Sequence, residues 1–228
     1  MFFRSTRTSL PTLTAASVGA GFLYGENMRY SKAFKEDVFG KLCEMPAQPR
    51  ESLYRCIHGR DLVWEDLQGI KDRLRGFFPG LKDIRGNGTS WDDGVEIDSL
   101  FGIRPEVVQD VFEMLAELQS EPFTGSCTFT PESLVRSRNW CSSYYLKHVA
   151  EWVREQRGVE NHYVSNGEFI LGYSLFAMEG MGAGPEIVKS LWRRDRENPA
   201  WLNVDLRMPG VFGIVEEYYA RRYEDGRG

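Results

Sequence analysis

The chain has 228 residues and a mass of 26.2 kDa, with 28 Lys and Arg against 33 Asp and Glu, a formal net charge of −5. Hydrophobic residues make up 42% and charged residues 27%, the balance of an ordinary globular chain and not of a disordered one. The acidic sign argues against a protein that coats nucleic acid, because phosphate binding runs on clustered Lys and Arg; collagen, coiled-coil and acidic-tail classes are excluded as well.

Residues 1–25 hold no acid, two arginines (Arg4, Arg7) and many Ser, Thr and Ala. A transit peptide has that composition; the reading taken here is an irregular amino-terminal arm over residues 1–30, with the transit peptide as the alternative. Ser31 is placed to cap a short helix carrying Phe34, Val38, Phe39 and Leu42, which Pro46 and Pro49 end. Leu53, Tyr54 and Ile57 then form a short apolar face before Gly59. Asp61 is the expected cap of the next helix, in which Val63, Leu67, Ile70 and Leu74 recur at steps of four, three and four. Gly76, Pro79 and Gly80 stop it.

The segment Lys82 to Asp98 changes character. Asn87-Gly88 and Asp93-Gly94 are tight-turn dipeptides, and Val95 and Ile97 alternate with acids, which predicts turns and a hairpin. Pro105 suits the first position of a helix, and Val108, Val111, Phe112, Leu115 and Leu118 give that helix one apolar face. Thr130-Pro131-Glu132 opens a further helical stretch, read through Trp140 to Val153 and closed by Gly158. Ser165-Asn166-Gly167-Glu168 is a capping box, with Val164 and Phe169 at the positions of a hydrophobic staple. The Gly-rich stretch Gly180 to Gly184 ends that helix, Pro185 opens the next, and Phe212 to Tyr223 is again amphipathic. These elements predict a mainly α fold with a few short strands (α+β), one compact domain over residues 31–228 behind the amino-terminal arm.

Catalytic patterns do not emerge. His58, His148 and His162 form no H-E-x-x-H, and no serine lies in G-x-S-x-G. Cys56-Ile57-His58, with Cys43 upstream, lacks a fourth zinc ligand. The acids Asp92, Asp93, Glu96 and Asp98 lack the spacing of a calcium loop and read as a solvated face. Gly86-Asn87-Gly88 lacks the lysine of a phosphate loop. A helix-turn-helix reading of 143–157 and 165–178 lacks its basic recognition helix, because no Lys or Arg lies between Glu168 and Gly180. The basic run Lys189, Arg193, Arg194 and Arg196 is diluted by Glu186, Asp195 and Glu197. Neither a cofactor nor a metal is expected. Cys43, Cys56, Cys127 and Cys141 are too scattered for a disulfide framework, and no run of about 18 apolar residues suggests a membrane span. Binding to another protein is the default expectation.

Glu51-Ser52-Leu53-Tyr54-Arg55-Cys56-Ile57, then Val63-Trp64-Glu65-Asp66-Leu67 and Pro79, resembles the F-box-like region of the RNA-silencing suppressors of poleroviruses. That family carries a Leu-Pro pair, two free positions, Leu or Ile, and a later Pro. Val63 stands here for the Leu and Trp64 for the Pro; Leu67 keeps its place, and residues 68 to 78 make the gap to Pro79. Leu10-Pro11 is a literal Leu-Pro, but Thr14 spoils that register. Chain length and the position of the motif in the first third of the chain are similar too. Asn139-Trp140-Cys141 occupies the place of a tryptophan-centred element found in cereal-infecting members, without its glycines.

The resemblance implies a non-enzymatic adaptor in the host cytoplasm. Val63, Trp64, Leu67 and Pro79, within segment 51–79, would engage a Skp-type subunit of a cullin ubiquitin ligase. Arg138 and Trp140 would engage an Argonaute protein, which is then degraded. No direct nucleic-acid contact is implied. Ser143 to Ile170 is also similar to short uncharacterised phage and plasmid proteins, from which no function carries over. Three readings therefore stand: the silencing suppressor, a DNA-binding or regulatory protein of a mobile element, and a mitochondrial subunit entering through residues 1–25.

Overall fold

The computed structural model describes residues 52–93, 102–118, 130–137, 140–194 and 202–208, all of them within the unit Lys32–Gly228. Of these residues about 59% are helical and 15% lie in strands, a mixed α+β fold dominated by helices. The expected helix behind Ser31, the amphipathic tail Phe212 to Tyr223, the acidic run beyond Asp93, Arg138, Arg196, Cys43 and Cys127 lie outside the described residues.

Seven α-helices are described: α1 Leu53–His58, α2 Trp64–Phe77, α3 Pro105–Leu118, α4 Pro131–Arg136, α5 Ser143–Gln156, α6 Asn166–Leu175 and α7 Pro185–Leu191. Strands β1 Leu81–Arg85 and β2 Gly88–Trp91 form an antiparallel hairpin. Strands β3 Trp140–Ser142, β4 Trp192–Arg194 and β5 Val204–Arg207 form a second antiparallel sheet in the order β3-β5-β4.

The centre of the fold is α6. Every residue from Asn166 to Leu175 is buried, and the helix packs against α2, α3, α5 and the β1–β2 hairpin. From Phe169 to Leu175 the helix is apolar on every side apart from Ser174, so it has no solvent face and is enclosed. Its start is set locally. The Ser165 hydroxyl accepts from the Glu168 amide at 3.3 Å, and the Glu168 carboxylate accepts from the Ser165 amide at 2.7 Å. The predicted capping box is therefore present with both halves made.

The far end of α6 departs from expectation. The helical run ends at Gly180, where the Gly-rich stretch is expected to end it, but its last turn widens into a π-turn over Phe176–Gly180, in which the Met181 amide reaches the Phe176 carbonyl at 2.9 Å. A second departure concerns Trp140. The stretch from Pro131 is not one helix: α4 ends at Arg136, and Trp140 begins a three-residue strand paired with Arg207 of β5. Within that sheet Trp140 is half-buried, its ring flanked by the guanidinium groups of Arg193 at 5.0 Å and Arg207 at 4.4 Å. The hairpin forms where turns were expected, with Gly86 and Asn87 as its loop and Gly88 opening β2.

Candidate functional site

Helix α1 has only six residues, too few to be stable alone. It is held by α3, a helix whose apolar face carries two polar residues one turn apart, Gln109 and Glu113. The Glu113 carboxylate accepts from the Leu53 amide at 2.9 Å, the Tyr54 amide at 3.0 Å and the Ser52 hydroxyl at 2.5 Å. It therefore supplies the acceptor that the first turn of any helix lacks. Gln109 accepts from the Leu62 amide at 2.8 Å and donates to Ser52 Oγ and Asp61 Oδ1, both at 3.1 Å. Phe112, between them, receives the Tyr54 ring edge-on at 6.0 Å. Three side chains of one helix thus dock the whole segment 52–62.

Asp61 does not cap α2. Its carboxylate is taken by Arg55, at 2.6 and 2.7 Å, and by Gln109, and the helix begins at Trp64 with Val63 as its flanking residue. Valine has no acceptor, so only half a capping box exists: Asp66 accepts from the Val63 amide at 3.0 Å. Arg60 grips the same carboxylate with both arms, at 2.6 and 2.7 Å. Together these hold the Asp66 carboxyl at about 2, the hydrogen bond from Arg60 being the largest cause. Burial, then the charge of Asp66 and its hydrogen bond, pushes the Tyr54 hydroxyl up to about 12.

A pH dependence follows, with its sign fixed by the direction of the shift. A carboxyl held below its ordinary 3.8 stabilises the fold fully above that value, and the contribution disappears as pH falls through about 2. Asp66→Asn is therefore expected to be less stable at neutral pH and to lack that part of the acid loss between pH 4 and 2. Urea titrations at stepped pH check this; identical acid limbs for the two proteins would contradict it.

The resemblance implies a shared adaptor-engaging role for Val63, Trp64, Leu67 and Pro79, and the structure places them in different surroundings. Leu67 is 0% exposed and belongs, with Ile70 and Leu74, to the stripe by which α2 joins the core. It is a packing residue in the folded chain and no partner can reach it. Pro79 is exposed in the turn beyond α2. Val63 is 38% and Trp64 49% exposed, at the very start of the helix. Ile57, assigned by its spacing to the apolar face of α1, is 47% exposed instead, while Tyr54 of the same helix is buried. The α1–α2 corner thus presents three large apolar side chains to solvent. The second expected site keeps Trp140, between its two arginines; Arg138 lies outside the described residues.

Three polar residues, His58, Arg73 and Glu179, complete the corner. His58, the last residue of α1, has its Nε2 at 2.6 Å from Glu179 Oε2, and Arg73 of α2 donates to Glu179 Oε1 at 2.7 Å. The Tyr54 ring stacks on the His58 ring with centroids 4.3 Å apart. Glu179, Gln109 and Glu113 were not singled out in the sequence. Gln109 and Glu113 left one signal, a polar i, i+4 pair beside an apolar stripe; Glu179 left none.

Helix α6 bears on the mobile-element reading. Its ten residues are all buried, so it offers no face to a DNA groove. Among the described residues no group of three or more His, Cys, Asp or Glu could hold a metal, and no helix is long and apolar enough to cross a membrane. No protein-family model, curated protein or solved structure matches this chain.

Proposed function

We propose that this chain is a protein-binding adaptor whose docking face is the α1–α2 corner. The observation that carries this reading is the exposure of Trp64 and Val63 at the first turn of α2, beside a helix stripe that is otherwise wholly buried. Exposed tryptophan is expensive in water and is the residue type most often found at binding hot spots. The resemblance to the polerovirus suppressors supplies the partner: a Skp-type subunit of a cullin ubiquitin ligase, with Argonaute presented to it through the element around Trp140. Leu67 acts in this scheme by holding α2 in the core, and Trp64 and Val63 make the contact.

Binding of purified chain to a purified plant Skp-type subunit tests the proposal. Trp64→Ala is expected to weaken binding by about thirtyfold or more while thermal stability stays near that of the wild type. Leu67→Ala should cost about 2–5 kcal/mol of stability, and lose binding only to the extent that it unfolds. Absence of binding by the wild type, or unchanged binding by the double variant Val63→Ala, Trp64→Ala, would overturn the reading.

A further inference from the structure

We infer that Glu179 is the positioning residue of the docking corner, an assignment that rests on reading the α1–α2 corner as the docking face. The two ends of α1 are fixed by different helices. Glu113 of α3 holds the amino-terminal end through Ser52, Leu53 and Tyr54. The carboxy-terminal end, where Ile57 stands, is held through His58, and the group that holds His58 is Glu179. The same carboxylate spends its other oxygen on Arg73 of α2. One side chain from a third element therefore joins the last residue of α1 to the body of α2, across the loop that leads into Val63 and Trp64.

The π-turn explains why Glu179 is available there. An α-helix advances about 100° per residue, and a π-turn holds one residue more than an α-turn. Residues within it leave the path that α6 would otherwise follow, and Glu179 emerges from the end of a fully buried helix with its side chain only 17% exposed, turned to α1 and α2. The other charged and titratable groups around this junction are already engaged. Asp66 holds Arg60 and the Val63 amide, Asp61 holds Arg55, and Tyr54 lies stacked on His58. Tyr54, in the first turn of α1, also bonds Asp66 of α2 through its hydroxyl, but none of these groups hydrogen-bonds His58, so removal of Glu179 loosens that end of α1 while Glu113 and Tyr54 keep the other end in place.

Amide hydrogen exchange read by mass spectrometry tests this on the full chain. In Glu179→Ala, peptides covering 55–63 should exchange about tenfold faster, whereas peptides from α3 and α6 keep their protection. Glu179→Gln has the same shape and retains one acceptor oxygen, so it should restore part of that protection. His58→Gln should accelerate the same peptides in the wild-type background and add nothing in Glu179→Ala, the signature of residues acting through one contact. Affinity for the purified Skp-type subunit should fall about tenfold in Glu179→Ala. Unchanged exchange over 55–63 would overturn the inference. So would a rise of equal size in α3 and α6, which would make Glu179 an ordinary packing residue; if Glu179→Ala fails to fold, His58→Gln together with Arg73→Gln puts the same question from the opposite side of the contact. A wild type that binds no Skp-type subunit removes the docking reading, while the exchange pattern still decides the role of Glu179. Loss of binding in Trp64→Ala with full binding in Glu179→Ala removes the role of Glu179 alone.

Discussion

Glu168→Ala is expected to cost about 3–5 kcal/mol, a large part of the stability of a domain this size. The carboxylate is 0% exposed, yet every position on it is filled. One oxygen accepts from the Arg104 amide at 2.9 Å and from Arg104 Nε at 2.8 Å; the other accepts from Arg104 Nη2 at 3.0 Å and from the Ser165 amide at 2.7 Å. Arg104 Nη2 also donates to the Tyr163 carbonyl at 2.7 Å. Removing the carboxylate strands a partly buried guanidinium and two backbone amides, and each unpaired buried group carries its full desolvation cost. The hydrogen bond to Glu168 raises the Arg104 pKa in the wild type, and because a guanidinium keeps its proton in a protein even without a partner, the stranded cation of the variant has no escape by deprotonation.

A second variant separates the ion pair from the cap. If charge pairing were the whole role, replacing Arg104 and Glu168 together by Met and Leu would recover most of the loss. The Arg104 and Ser165 amides would still lack their acceptor, so the double variant is expected to stay clearly below wild type. Urea denaturation at neutral pH measures both proteins. A loss under about 1 kcal/mol in Glu168→Ala would sink the account.

The same residue shows what can be read along a chain and what cannot. The box Ser165 to Glu168 was legible because both of its hydrogen bonds close within three residues. Its third participant, Arg104, sits 64 residues earlier, and nothing in the spacing announces it. The stripe Leu67, Ile70, Leu74 was legible as a stripe, but a core face and a docking face have the same period. Only the neighbours that cover α2 distinguish them, and they come from distant parts of the chain. Asp61 has the spacing of a cap but does not serve as one, because Arg55 of α1 and Gln109 of α3 take its carboxylate. Trp140 was read into a helix because its strand is three residues long and pairs with Val204–Arg207, more than sixty residues on. The π-turn has no local pattern at all. Short-range chemistry was therefore visible in the sequence, and so was fold class; the α1–α2 corner depended on contacts that the sequence does not order.

Glycine-to-alanine substitutions are expected to change stability in opposite directions at two helix positions, and the contrast tests the packing of α6 directly. Alanine is favoured over glycine inside a helix by about 1 kcal/mol, so the default expectation is a gain. Gly69 lies in the middle of α2, exposed, with nothing within 4 Å of the place where a Cβ would stand. Gly69→Ala should therefore stabilise by about 0.5–1 kcal/mol. Gly172 lies in α6 where it crosses α3, and a Cβ there would sit 2.7 Å from both Cβ and Cγ1 of Val111 and 2.9 Å from the Val108 carbonyl oxygen. Those are backbone and branched side-chain atoms of a buried helix, with no flexible end to move aside. The helices must separate, and Gly172→Ala should destabilise by about 1–3 kcal/mol net of its propensity gain. Gly167 is tighter still, because its Cβ would run into the Arg85 carbonyl group of the hairpin, and Gly167→Ala should cost at least as much. Urea midpoints at constant slope read all three variants. A stabilised Gly172→Ala would mean that α6 and α3 do not approach this closely, and the enclosed helix on which the π-turn and Glu179 depend would have to be redrawn.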